Sequence, residues 1–170
     1  MMADGGPDLS LVRHLKSRGR WDEARLRLEV WLNADPENPR LLYEMALVLD
    51  NQGREEEAIA YYQQALAGDL DQMHRVDAML GLGSSLRAVG RVHESYQVLA
   101  DATSQYPNHL ALKVFFAFTL ERMGNHGDAL TELLDVILES GRSDSLDLYR
   151  AAIQYARDHR HDGKLPREQI

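Results

Sequence analysis

Apolar side chains recur along this chain with the period of a helix, and the pattern is clearest over residues 40–67. Leu42, Met45, Ala46 and Leu49 stand at i, i+3, i+4 and i+7, the stripe of an amphipathic helix. Gly53 breaks the pattern, and a second stripe of Ala58, Tyr62, Ala65 and Leu66 follows it. Asn38-Pro39 reads as the start of the first helix, since proline is tolerated where the opening N–H has no partner. Glu55, Glu56 and Glu57 crowd the first turn of the second, where the helix dipole favours negative charge. The same template slides along the chain. Leu11, Val12 and Leu15 precede Gly19, and Ala24, Leu28 and Trp31 follow it. Met79, Leu82, Gly83 and Leu86 precede Gly90, followed by Ser95, Leu99 and Ala102. Phe116, Ala117 and Leu120 precede Gly124, followed by Ala129, Leu133 and Val136.

Each copy carries a Gly-x-x-x-(Glu/Asp)-(Ala/Ser) signature: Gly19…Ala24, Gly53…Ala58, Gly90…Ser95 and Gly124…Ala129, with the glycines 34, 37 and 34 residues apart. A period in this range predicts stacked helix pairs, because one pair cannot bury its apolar face alone. Small residues at Ala46, Gly83 and Ala117 on the first helices, and at Ala24, Ala58, Ser95 and Ala129 on the second, mark close approaches of helix backbones. The three extra residues in the 37-residue interval fall near Asp69 to Arg75 and imply a longer turn or helix there. After Gly141, the spacing of Leu146, Leu148, Tyr149, Ala152, Ile153, Tyr155 and Ala156 predicts one more helix from Asp144 to His159, with Ser143 or Asp144 as its N-cap. The expected organisation is a flexible start at 1–7 and repeats near 8–37, 38–71, 72–108 and 109–141. A C-terminal capping helix at 142–160 and a polar tail at 161–170 complete it.

Charge and composition narrow the chemistry. The formal net charge of −8 repels phosphate backbones and anionic lipid, so neither a nucleic-acid nor a membrane partner is expected. The local run of Arg13, Lys16, Arg18, Arg20, Arg25 and Arg27 reads as a solvated helix face. Cysteine is absent, which removes disulfides, thiolate metal sites and cysteine nucleophiles. No apolar run reaches the roughly 18 residues of a membrane span, and the first ten residues lack a signal-peptide core, so a cytoplasmic protein is expected. Arginine outnumbers lysine 16 to 3, pointing to a GC-rich, bacterial genome. The seven histidines do not form a metal site on this reading. His93, His109 and His126 fall at turns and His14 and His74 on helix surfaces, and His159 and His161 alternate in a tail with nothing to hold ligand geometry. Gly81-Leu82-Gly83-Ser84-Ser85 lacks the lysine and the strand-to-helix setting of a phosphate loop. With no nucleophile-base constellation either, no catalytic residue, metal or cofactor is expected.

The run from Gln52 to Leu66, Gln-Gly-Arg-Glu-Glu-Glu-Ala-Ile-Ala-Tyr-Tyr-Gln-Gln-Ala-Leu, resembles the tetratricopeptide repeat consensus almost residue for residue. Three other units resemble it more loosely, so that the likeness covers residues 8 to 141. Leu70 and Gly141 stand where units two and four would carry the terminal proline. The resemblance implies an all-α, right-handed superhelical solenoid of four helix-turn-helix repeats with a solvating C-terminal helix. It also implies a non-enzymatic module that binds a protein or peptide along its first helices. Carried over by register, the groove positions are Arg13, Arg40, Tyr43, Leu47, Leu80, Ser84, Arg87, Val114, Phe118 and Glu121. The family's best-known groove clamps a C-terminal carboxylate with lysine and asparagine, and the register places neither here. Tyr43, Leu47, Leu80, Val114 and Phe118 are expected instead as an exposed apolar stripe for a peptide or amphipathic helix. A homo-oligomer formed through the same stripe or the stack end is the alternative.

Overall fold

The computed structural model describes residues 7–141 and 149–158, and all its regular structure there is helical. By contacts the chain divides into two compact units, Met1–Arg91 and Val92–Ile170. The first holds α1 (Leu9–Ser17), α2 (Trp21–Ala34), α3 (Pro39–Asn51), α4 (Glu55–Ala67) and α5 (Gln72–Ala88). The second holds α6 (Val92–Gln105), α7 (Leu110–Arg122), α8 (His126–Glu139) and α9 (Arg150–Asp158). In the first unit each helix packs on its predecessor and α3 also meets α5; in the second the order is α6 on α7, α7 on α8 and α8 on α9. The expected all-α class therefore holds.

One device ends four of these helices. Gly19, Gly53, Gly90 and Gly124 have φ of +68°, +71°, +84° and +82°, a left-handed conformation that side-chain-bearing residues adopt at a cost. The next residue then donates its N–H back to the carbonyl of a leucine five positions earlier: Arg20 to Leu15, Arg54 to Leu49, Arg91 to Leu86 and Asn125 to Leu120, at 2.9–3.0 Å. This is the Schellman closure, which satisfies carbonyls the helix leaves open. All four leucines are buried, so the turn is fastened to the core. The repeating glycine is thus required by the backbone, and a leucine four positions before it belongs to the same signature.

The second-helix small residues Ala24, Ala58, Ser95 and Ala129 are all buried, as are Ala46, Gly83 and Ala117 on the first helices. Ser95 has a hydroxyl partner across the contact, Thr119 on α7 at 2.9 Å. Between α4 and α5 the approach is closest at Gly81, where a Cβ would lie 2.5 Å from the ring of Tyr62. That ring is fully buried, and its hydroxyl donates to Asp50 at 3.3 Å while Ser85 donates to the same carboxylate at 2.8 Å. One carboxylate thereby joins α3, α4 and α5, and its burial raises its pKa above the ordinary range.

The three extra residues extend a helix. α5 runs 17 residues, against 13 in α3 and α7. Asp71 caps it by accepting from the His74 backbone at 3.1 Å, and Arg75 reaches back to the carbonyls of Leu66 and Gly68, closing the end of α4. Leu70, in the place of the usual proline, is buried. At the far end the predicted helix Asp144–His159 is seen as α9 over Arg150–Asp158, and its proposed N-cap lies outside the described residues. α9 is fastened to α8 by Arg157 on Asp135 at 2.7 Å and by Arg150 donating to the carbonyls of Leu138 and Gly141.

Candidate functional site

In the first unit, a chain of charged and polar side chains ties α1, α3 and α5 together. Asn38 caps α3 by accepting from the N–H groups of Arg40 and Leu41, with Pro39 in the first turn. This start sets Arg40 and Glu44 one turn apart. The Glu44 side chain is only 7% exposed, and it takes Lys16 of α1 at 2.5 Å and Arg40 at 2.8 Å. A buried carboxylate without such partners would be strongly unfavourable. Arg40 also donates to Nε2 of His74 on α5, while His74 Nδ1–H donates to Asp71 at 2.5 Å. An Nε2 that accepts from Arg40 leaves Nδ1 as the donor nitrogen of the ring. The backbone N–H and ring of His74 together hold the Asp71 carboxyl below its usual range.

Tyr43 is where the structure departs from the expected stripe. Tyr43 is 5% exposed, its ring set edge-on to His74 at 5.3 Å with the Arg40 guanidinium 5.6 Å above it. Burial pushes this phenol above its ordinary value. The cause is the added turn of α5, which brings His74 over the tyrosine; Tyr43 is therefore a packing residue and not a free anchor. His74, expected on an open helix surface, is half-buried for the same reason. The sequence signals were available in part: Arg40–Glu44 at i,i+4, Asp71–His74 at i,i+3 and the insertion between repeats. Lys16 to Glu44 and Arg40 to His74 required the packing.

The other positions fall as follows. Leu47, Leu80, Ser84 and Arg87 are half-buried and Arg13 is exposed on α1. The Tyr43–His74 and Asp50–Ser85 contacts bring together the stretch of α3 that carries Leu47 and the stretch of α5 that carries Leu80 and Ser84. In the second unit Val114 is half-buried, Phe118 is 43% exposed and Glu121 is exposed, at i, i+4 and i+7 along α7. Phe118 meets Phe115 edge-on at 5.9 Å. Phe116, two residues before it, is buried and packs on Tyr96 at 5.4 Å. Among the described residues no group of three histidines or carboxylates is placed to hold a metal ion, and His159 and His161 lie outside them. No described helix is long and apolar enough to cross a membrane.

Against this geometry, a family profile described as tetratrico peptide repeat matches residues 39–159, more than half of the chain. The chain belongs to the tetratricopeptide repeat family. Solved structures of tetratricopeptide repeat proteins share its fold. YrrB, described as having an unusual peptide-binding site, is 24% identical, with a TM-score of 0.66 over 82% of this chain and 70% of YrrB. Pseudomonas aeruginosa pilF is 21% identical, with a TM-score of 0.67 over 88% of this chain and 67% of pilF. MamA from Desulfovibrio magneticus RS-1 is 17% identical, with a TM-score of 0.67 over 95% of this chain and 88% of MamA. No curated protein matches the sequence. A tetratricopeptide repeat fold is a protein-interaction scaffold, which is the coarse function of the chain.

Proposed function

We propose that this protein is a non-enzymatic adaptor, built on repeats at 8–37, 38–71, 72–108 and 109–141, that takes a peptide or amphipathic helix on its first-helix faces. The observation that carries the reading is the two half-buried leucines, Leu47 of α3 and Leu80 of α5, on helices locked together by the Lys16–Glu44–Arg40–His74 chain. A face already fixed by its own side chains loses little freedom on binding, so the apolar contact is retained as affinity. Arg13 and Arg87 supply cations beside the pair, and Val114, Phe118 and Glu121 form the corresponding face of α7. The peptide-binding site of YrrB supports a ligand of this class.

The test is affinity capture from cell extract with the parent chain and with Leu47→Glu/Leu80→Glu. The variant is expected to keep its helical circular dichroism and lose the parent's main captured protein. Equal capture by both would overturn the reading. The exposure of Phe118 favours a second reading, self-association through α7. Light scattering across a hundredfold range of concentration would then show an oligomer that Phe118→Glu abolishes.

A further inference from the structure

A second surface lies in the first unit, away from the first-helix face. Between the C-terminal halves of α2 and α4 run two adjoining hollows of about 300 and 320 Å³, open to solvent and sharing Pro36, Leu42 and Gln64 in their walls. They form one trough. Its floor is apolar, made by Leu32, Leu42 and Met45, and Tyr61 stands along one wall. Its rim is polar: Glu29 and Asn33 at one end, Glu37 at the other, and Gln64 between them.

The charge of the rim has one sign. No lysine or arginine lines either hollow, and both charged residues that do are glutamates. α2 ends beside the trough at Ala34 with no basic residue in its last turn, so the negative end of its dipole is uncompensated. The connecting loop adds Asp35 and Glu37, both exposed. Arg25 pairs with Glu29 from outside the trough, which leaves Glu37 as the free charge of the rim. The end of α4 differs, because Arg75 already occupies the carbonyls of Leu66 and Gly68. A cationic group therefore fits at the Glu37 end of the trough, and an apolar group fits on the floor beside it. Hollows of this size are at the small end of the range for ligand pockets, roughly 300–1,000 Å³, and suit one or two side chains.

We propose that this trough binds an extended basic peptide segment. One apolar side chain of the segment lies over Leu32, Leu42 and Met45, beside Tyr61, and the arginine next to it is held by Glu37. This surface is separate from the face built on Leu47 and Leu80 and stands whether or not that face binds a partner.

The probe is the blocked tetrapeptide Leu-Arg-Leu-Arg, with blocked Leu-Glu-Leu-Glu as control, followed by nuclear magnetic resonance shifts on the isotope-labelled full chain. The basic peptide is expected to shift resonances of Asn33, Glu37, Met45, Tyr61 and Gln64 in a saturable way, and the acidic one to leave them unmoved. Glu37 is exposed, so its replacement leaves the fold intact. Glu37→Gln should weaken binding by about threefold, the value of one exposed ion pair, and Glu37→Lys should abolish it. Leu47→Glu/Leu80→Glu should bind the probe as the parent does, which separates failure here from failure of the adaptor face. The proposal is overturned if the basic peptide shifts none of these resonances, if the acidic peptide shifts them equally, or if Glu37→Lys binds undiminished.

Discussion

At the scale of single residues, two positions test the close packing of α4 on α5. Gly81 faces the Tyr62 ring at a distance no Cβ tolerates, and that ring is held by its bond to Asp50. In Gly81→Ala the overpacking, about 1–3 kcal/mol, outweighs the roughly 1 kcal/mol alanine gains within a helix. Urea denaturation should show a net loss. Gly127 in α8 has nothing within 4 Å of a Cβ, so Gly127→Ala should gain up to about 1 kcal/mol by the same propensity. Asp50 gives a pH test. Its folded pKa is raised by burial, so between the ordinary carboxylate value near 4 and its folded value the native state binds more protons than the unfolded one. Stability from this group therefore falls as pH rises through that window. Asp50→Asn removes the titration, so the parent should gain stability relative to the variant as pH is lowered from 7 toward 4. Parallel denaturation curves at all pH values would contradict this.

Among the elements, α7 has two faces whose roles diverge within three residues. Phe116 is buried against Tyr96, and Phe118 is 43% exposed. Phe116→Ala should destabilise by about 3–5 kcal/mol as a core deletion, whereas Phe118→Glu should stay within roughly 0.5 kcal/mol of the parent. Chemical denaturation of both variants decides this; equal losses would mean that Phe118 is covered in solution. α4 depends on its neighbour for its end: it has no basic residue in its last turn, and Arg75 of α5 supplies the donors. Arg75→Ala should lower the melting temperature by removing both bonds and leaving the Gly68 carbonyl with only the Leu70 N–H, at about 0.5–1.5 kcal/mol for a hydrogen bond.

For the whole molecule, burial is uneven. Eight residues of α3 are buried, but of α8 only Ala129 is. Repeat proteins add up local stabilities and nearest-neighbour interfaces, so amide protection should follow this distribution. Hydrogen exchange is expected to be slowest in α3, α4 and α5 and fastest in α8 and α9. Ending the chain after Gly141 would remove Arg157 from Asp135 and Arg150 from the carbonyls of Leu138 and Gly141. The shortened protein should melt earlier or aggregate. An unchanged melting curve and a monomer in light scattering would make α9 an appendage.

Much of this protein is local, and what is local was legible in the sequence. Helix spans follow from period and from stop and start residues: Asn38 and Pro39 open α3, and Gly19, Gly53, Gly90 and Gly124 close four helices because their left-handed backbone is a property of the turn itself. The buried small residues follow from the same register. Side-chain chemistry between helices was decided by packing. Whether Tyr43 faces water depends on His74, 31 residues away and carried on a turn that the extra residues add to α5. Glu44 is a tolerable buried charge only because Lys16 arrives from α1, and Asp50 is raised only because α4 and α5 close over it. The trough beside Leu42 takes its walls from three helices at once, α2, α3 and α4. Periodicity records which side of a helix is covered; which neighbour covers it, and with what group, is set only when the helices meet.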